Sequence, residues 1–127
     1  TDISVDINLN NLDKNVISCC NFDLNYDKDI LDVSKVLPGS IVKNSKENFE
    51  YDIEKNNGKI KFIYADGTDD GKESITQDGK FAKVIFKIKD KSKKGKTQIS
   101  FTGDKKFCNK DLKKINVQVE NGSIEIK

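Results

Sequence analysis

The stretch Lys59–Lys89, KIKFIYADGTDDGKESITQDGKFAKVIFKIK, decides the fold. It reads as a strand, an acidic loop carrying glycine, a short extended link and a second strand. In the first strand Ile60, Phe62 and Tyr64 alternate on one side, the period of two that marks a face turned to a core. The other side carries Lys59, Lys61, Ile63 and Ala65. A face turned only to water would have charges or hydroxyls where Ile63 and Ala65 stand. Either a second layer or a partner covers that face.

The same alternation continues on both sides of this stretch. Upstream, Ile3, Val5, Ile7 and Leu9 alternate with Ser4, Asp6 and Asn8, which predicts a half-buried strand over residues 1–10. Over 16–26, Ser18, Cys20, Phe22, Leu24 and Tyr26 share the core side, with Cys19, Asn21, Asp23 and Asn25 opposite. A short strand is expected at Ile30–Val33, followed by a turn at Pro38-Gly39. Phe49, Tyr51 and Ile53 alternate with Glu50, Asp52 and Glu54, and Asn57-Gly58 supplies two left-handed residues for a tight hairpin into Lys59. Downstream, Ala82, Val84, Phe86 and Ile88 face in and Lys83, Lys87 and Lys89 face out. Thr97–Phe101 reads as a short strand, and Ile115, Val117 and Val119 mark another. Asn121-Gly122 reads as a hairpin turn into Ile124 and Ile126. No segment has a 3.6-residue period long enough for a helix. About eight short strands with turn signals between them predict an all-β sandwich.

Composition bounds the function. A chain of 127 residues is read as one domain, 1–127, able to build a core without staples. Charged residues make up 35% with a net charge of only +2, so acids interleave with bases and a nucleic-acid footprint is not expected. No apolar run approaches the roughly 20 residues of a membrane-spanning helix. The chain opens directly in a strand with no signal peptide, and is read as a segment of something longer. The absence of histidine removes the commonest general base and the serine and cysteine triads. The three cysteines, Cys19, Cys20 and Cys108, form a poor disulfide framework. Adjacent cysteines on a strand point to opposite faces, so at most one of Cys19 and Cys20 meets Cys108. Free thiols are the expectation.

Asp66, Thr68, Asp70 and Gly71 match the first half of a calcium loop, but Gln77 stands where a bidentate glutamate is needed and strands flank it instead of helices. It is read as a surface turn, and no metal or other cofactor is expected in this chain. The lysines between Lys87 and Lys96 fall mostly along a strand edge, where they discourage sheet-to-sheet association. Paired carboxylates can hydrolyse glycosides at set separations, but a solvated acidic loop is the better account of this one. A sugar-binding β-sandwich is the alternative reading. Such modules stack rings on exposed aromatics, whereas this chain lacks tryptophan and places Tyr26, Tyr51 and Tyr64 on inward phases.

The segments CCNFDLNYDKDILDV (19–33), PGSIVKN (38–44), NGKIKFIYAD (57–66), ITQDGKFAKVIFKIK (75–89) and NGSIEI (121–126) together resemble the type I cohesin domains of cellulosomal scaffoldins. The resemblance runs from about Ser4 to Ile126 with its motifs in family order. It implies a jelly-roll β-sandwich, normally of nine strands, without catalytic activity. Cohesins dock dockerin modules, calcium-bearing helical modules of secreted enzymes, on one flat sheet face. Carried onto this chain, the partner-binding positions are Cys19, Asn21, Lys61, Ile63, Ala65, Asp66, Asp69 and Leu112, with Glu54 near a position that is often aromatic in the family. Asp69 departs from the glycine of many cohesins, and this chain is expected to start at the family's second strand, either truncated or without the first. The implied setting is extracellular, with calcium in the dockerin partner, no membrane contact by this domain, and a monomer when alone.

Overall fold

A computed structural model of the chain describes residues 2–10, 12, 15–89, 95–109, 111, 118–119 and 122–126. The expected sandwich is present. Nine described strands run in order: β1 (Asp2–Asn10), β2 (Cys19–Asn25), β3 (Leu31–Pro38), β4 (Phe49–Glu54), β5 (Lys59–Ala65), β6 (Gly79–Ile88), β7 (Gly95–Cys108), β8 (Gln118–Val119) and β9 (Gly122–Ile126). A one-turn helix, α1 (Ser45–Asn48), and a 3-10 turn at Lys55–Asn57 are the helical pieces among the described residues. One sheet has the order β3-β6-β1-β8 and the other β4-β5-β2-β7-β9, with antiparallel pairings throughout.

Between the sheets lies an aromatic core. The Phe22 ring sits 5.4 Å from Phe62 and from Phe81, 5.7 Å from Phe101 and 6.0 Å from Phe107. Ile7, Leu9, Leu24, Ile60, Tyr64, Val84 and Phe86 are fully buried around it, as their alternation requires. Ile3, Val5 and Ile88 are half-buried against this cluster.

Where the reading of the strands falls short, a bulge is often the cause. In β3 the register moves from Val33 opposite Phe86 to Lys35 opposite Ile85, leaving Ser34 as an extra residue. The inward phase therefore shifts from Val33 to Val36, and the strand runs on to Pro38 instead of stopping at Val33. Pro38 is tolerated because β3 is an edge strand. A second bulge lies in β6. Ile7 faces Ala82 and Asn8 faces Lys80, so Phe81 is the unpaired residue, and both it and Ala82 are buried. Phe81 escapes a strict period of two for that reason.

The turn into β5 differs from the expected two-residue hairpin. Glu54 pairs with Lys59 across a 3-10 turn, and only Gly58 is left-handed, at φ 63°. A Cβ on Gly58 would also lie 2.5 Å from the Tyr26 carbonyl oxygen, which accepts no such neighbour. The last two strands do not form a hairpin ladder: β8 pairs with β1 in one sheet and β9 with β7 in the other. The strand read at Thr97–Phe101 extends to Cys108. Tyr51 has the inward phase but is 46% exposed, because β4 is an edge strand.

Candidate functional site

The outer face of the five-stranded sheet answers the question raised by β5. No second layer of described residues covers it: Ile63 is 47% exposed, while Phe62 and Tyr64 on either side are fully buried. Register assembles the surroundings of Ile63. Asn21 lies directly opposite it on β2 and Glu50 on β4, and Lys106 lies across Asn21 on β7. One step along, Lys61 stands between Asp23 and Asp52. On the other side, Ala65 lies beside Cys19, and Cys19 beside Cys108. Directly opposed residues of an antiparallel pair share a face, so these side chains form one surface.

Of the positions carried over from the sequence, Asn21, Lys61, Ile63, Ala65 and Asp69 are exposed, and Cys19, Glu54 and Asp66 are half-buried. The sheet brings Cys19, Asn21, Lys61, Ile63, Ala65 and Glu54 onto one side, with the loop of Asp66 and Asp69 at the end of β5. Leu112 lies outside the described residues. Glu54 sits diagonally from Lys61, its Oε2 3.6 Å from Lys61 Nζ and without a hydrogen bond of its own. Lys59 Nζ reaches Asp23 at 3.8 Å. Both contacts are loose and half-exposed, worth little to stability.

Three members of the face were not picked out from the sequence. Glu50 and Asp52 carried the right signal, the outward phase of β4, but their place beside Ile63 depends on the pairing with β5. Lys106 carries no signal, since the strand expected at Thr97–Phe101 stops short of it, whereas β7 continues to Cys108.

Asp66 has a different environment from the rest. Its Oδ1 accepts from the Thr68 amide and hydroxyl, and its Oδ2 accepts from the Ser74 hydroxyl at 2.8 Å and the Glu73 amide at 3.2 Å. Burial raises its pKa, but these hydrogen bonds to the charged form outweigh burial and hold the carboxyl below its ordinary value. Asp66 thus organises its own loop. The far side of that loop is tied down by the buried Tyr64, whose hydroxyl donates to the Glu73 carbonyl and accepts from the Lys43 amide at 3.1 Å. Buried Asn48 adds a bond from Nδ2 to the Lys43 carbonyl at 2.9 Å. The result is a fixed acidic rim with Asp69 exposed on it. Among the described residues no group of three potential ligands converges as a metal site.

The arrangement offers an apolar centre, Ile63 and Ala65, inside a ring of amides and charges of both signs. A surface of this composition suits a specific protein contact.

Comparison with known proteins places the chain. Residues 1–126 match the family described as Cohesin domain. The cellulosomal-scaffolding protein B of Acetivibrio thermocellus is 23% identical over 124 residues, covering 96% of this chain and 16% of that protein. The chain spans between 6% and 28% of the length of the curated relatives it matches. Among solved structures, the sixth cohesin from scaffoldin B of Acetivibrio cellulolyticus, in complex with a dockerin mutant, is 30% identical at a TM-score of 0.88, covering 100% of this chain and 89% of that one. A type I cohesin–dockerin complex from Clostridium thermocellum gives 31% identity and a TM-score of 0.85, covering 98% and 85%. With the family matched over residues 1–126 and solved cohesins of 30% and 31% identity sharing the fold, the chain belongs to the cohesin domain family.

Proposed function

We propose that this chain is a non-catalytic docking module of an extracellular cellulosome scaffold. It receives dockerin modules of carbohydrate-active enzymes on the outer face of the β4-β5-β2-β7-β9 sheet. The observation that carries this reading is the exposure of Ile63 on the outer sheet face, among polar and charged neighbours set by register. Two of the solved cohesins that resemble it in sequence and fold are in complex with dockerins, which supports the same partner class here.

In this reading Ile63 and Ala65 supply the desolvated centre. Asn21, Lys61 and Cys19 flank them directly, with Glu54 and Asp69 at the rim. Glu50, Asp52 and Lys106 join them by register, and the likeness to cohesins adds Leu112. Asp66 contributes by fixing the loop, since both its oxygens are engaged within it. A standard protein interface buries roughly 1,200–2,000 Å² in total, which one sheet face and its loop can supply. Calcium belongs to the partner and not to this domain. The domain alone is a secreted monomer that makes no contact with a membrane. The sugar-binding alternative finds one exposed tyrosine among the described residues, Tyr51, on the inward phase of an edge strand and not on the outer face.

The test is titration calorimetry of the chain against candidate dockerins, with calcium and with a chelator. Saturable one-to-one binding in calcium that vanishes on chelation is the expected result. Absence of binding to every dockerin of the same source, with the domain folded, would remove the reading.

A further inference from the structure

Cys19 and Cys108 stand opposite each other in the β2–β7 ladder, 89 residues apart in the chain, with their Sγ atoms 2.7 Å apart. Both thiols are free and half-buried. A disulfide bond is about 2.05 Å long, so closure calls for a shift of well under an ångström between two side chains already aimed at each other. Cys20 is excluded from this pairing. It points to the opposite side of β2 and is buried in the core beside Tyr64, its cross-strand neighbour. Cys19 is half-buried and also lines an open pocket of about 190 Å³ together with Ser18, Ala65, Asp66, Asp69 and Asn109.

The geometry points to a reversible redox site: Cys19 and Cys108 are a dithiol that low-molecular-weight disulfides oxidise to a cross-strand disulfide, pinning β7 to β2 at the rim of the outer face. The chemistry balances as two exchanges. One protein thiol loses its proton to water and the thiolate attacks a sulfur of the small disulfide, releasing one small thiolate, which takes up a proton. The second protein thiolate attacks the protein sulfur of that mixed disulfide, forms the Cys19–Cys108 bond and expels the second small thiol. The protein gives up two electrons and two protons, and the reagent becomes two thiols. Burial, then the hydrogen bond to Cys108 and its charge, push the Cys19 thiol up to about 11, so Cys19 attacks slowly at neutral pH and faster in alkali. Because the bond would join residues far apart in sequence, it would restrict the unfolded chain strongly.

The experiment treats the folded chain with oxidised glutathione, then counts thiols by alkylation in denaturant and maps the linkage under non-reducing conditions. One alkylatable thiol, located at Cys20, and a mass lower by two hydrogens are expected, both reversed by a reductant. The Cys20→Ser variant closes as the native chain does, whereas Cys108→Ser stops at a lasting glutathione adduct on Cys19. Three thiols after treatment, stable glutathione adducts on the native chain, or a bond to Cys20 would each overturn the assignment. The oxidised form is expected to melt several degrees higher than the reduced form. A melting temperature that stays or falls on oxidation would overturn the pinning of β7 to β2.

Discussion

Two neighbouring residues of β5 separate docking from folding. Ile63→Asp puts a carboxylate where Ile63 already meets water, so its cost to the isolated domain is expected to be under about 1 kcal/mol. At the centre of a complex the same group loses its hydration without a partner, at about 2–4 kcal/mol, or a thirty- to several-hundred-fold loss of affinity. Thermal melting beside dockerin titration checks both numbers, and unfolding of Ile63→Asp would contradict the exposure of that side chain. Phe62→Asp, one position away, buries a charge against Phe22 and is expected to abolish folding. Asp66 carries a pH signature. Its pKa in the folded protein is below the ordinary 3.8, so its hydrogen bonds add stability above that value. The contribution is lost as pH falls through the lowered pKa. Asp66→Asn is expected to cost about 1–3 kcal/mol at neutral pH, with the gap to the native protein closing in acid. Denaturant melts at neutral pH and near pH 3 measure it; a gap that widens in acid would contradict the sign.

At the scale of elements, the tightest constraint is the crossing from β3 toward α1. A Cβ on Gly39 would lie 2.1 Å from the Lys80 carbonyl oxygen and 2.5 Å from its carbon, both backbone atoms of β6. Gly39→Ala must push β3 off β6 and is expected to destabilise by at least about 1–3 kcal/mol in chemical denaturation, despite the conservative change. The sequence announced most strands and their phase, because strands such as β2, β5 and β6 bury one face and alternation records that directly. Phe22, Phe62, Leu24 and Ile60 were legible in this way. Ser34 and Phe81 were not, since a bulge breaks the period and nothing local in the sequence marks it. The face followed the same rule: Ile63 and Ala65 stood out as apolar residues on an outward phase. The companionship of Glu50, Asn21 and Lys106 is a fact of register between distant strands, which no single segment encodes. Asp66 read as a surface acid because its four donors come from later positions in a loop without periodicity.

For the molecule as a whole, the domain's own stability is expected to be indifferent to calcium, because a ligand that binds the folded state alone must raise its melting point. Scanning the isolated chain with calcium and with a chelator should give one melting temperature, and a rise in calcium would assign an ion site to this domain. The strand order has a kinetic consequence. Among the described strands only β4 and β5 are both consecutive in the chain and paired, while every other pairing joins strands separated by at least one crossing of the sandwich. The central strand β2 waits for β5 on one flank and for β7 on the other, and β1 waits for β6. The cost of closing those loops falls before most of the contacts that repay it, so refolding from denaturant is expected on the millisecond-to-second scale of non-local β topologies. During that interval β2 has open edges, and a chain halted before β7 leaves one of them unsheltered. A nascent copy therefore stays open to misassociation with its sisters until its last quarter, from Gly95 onward, arrives.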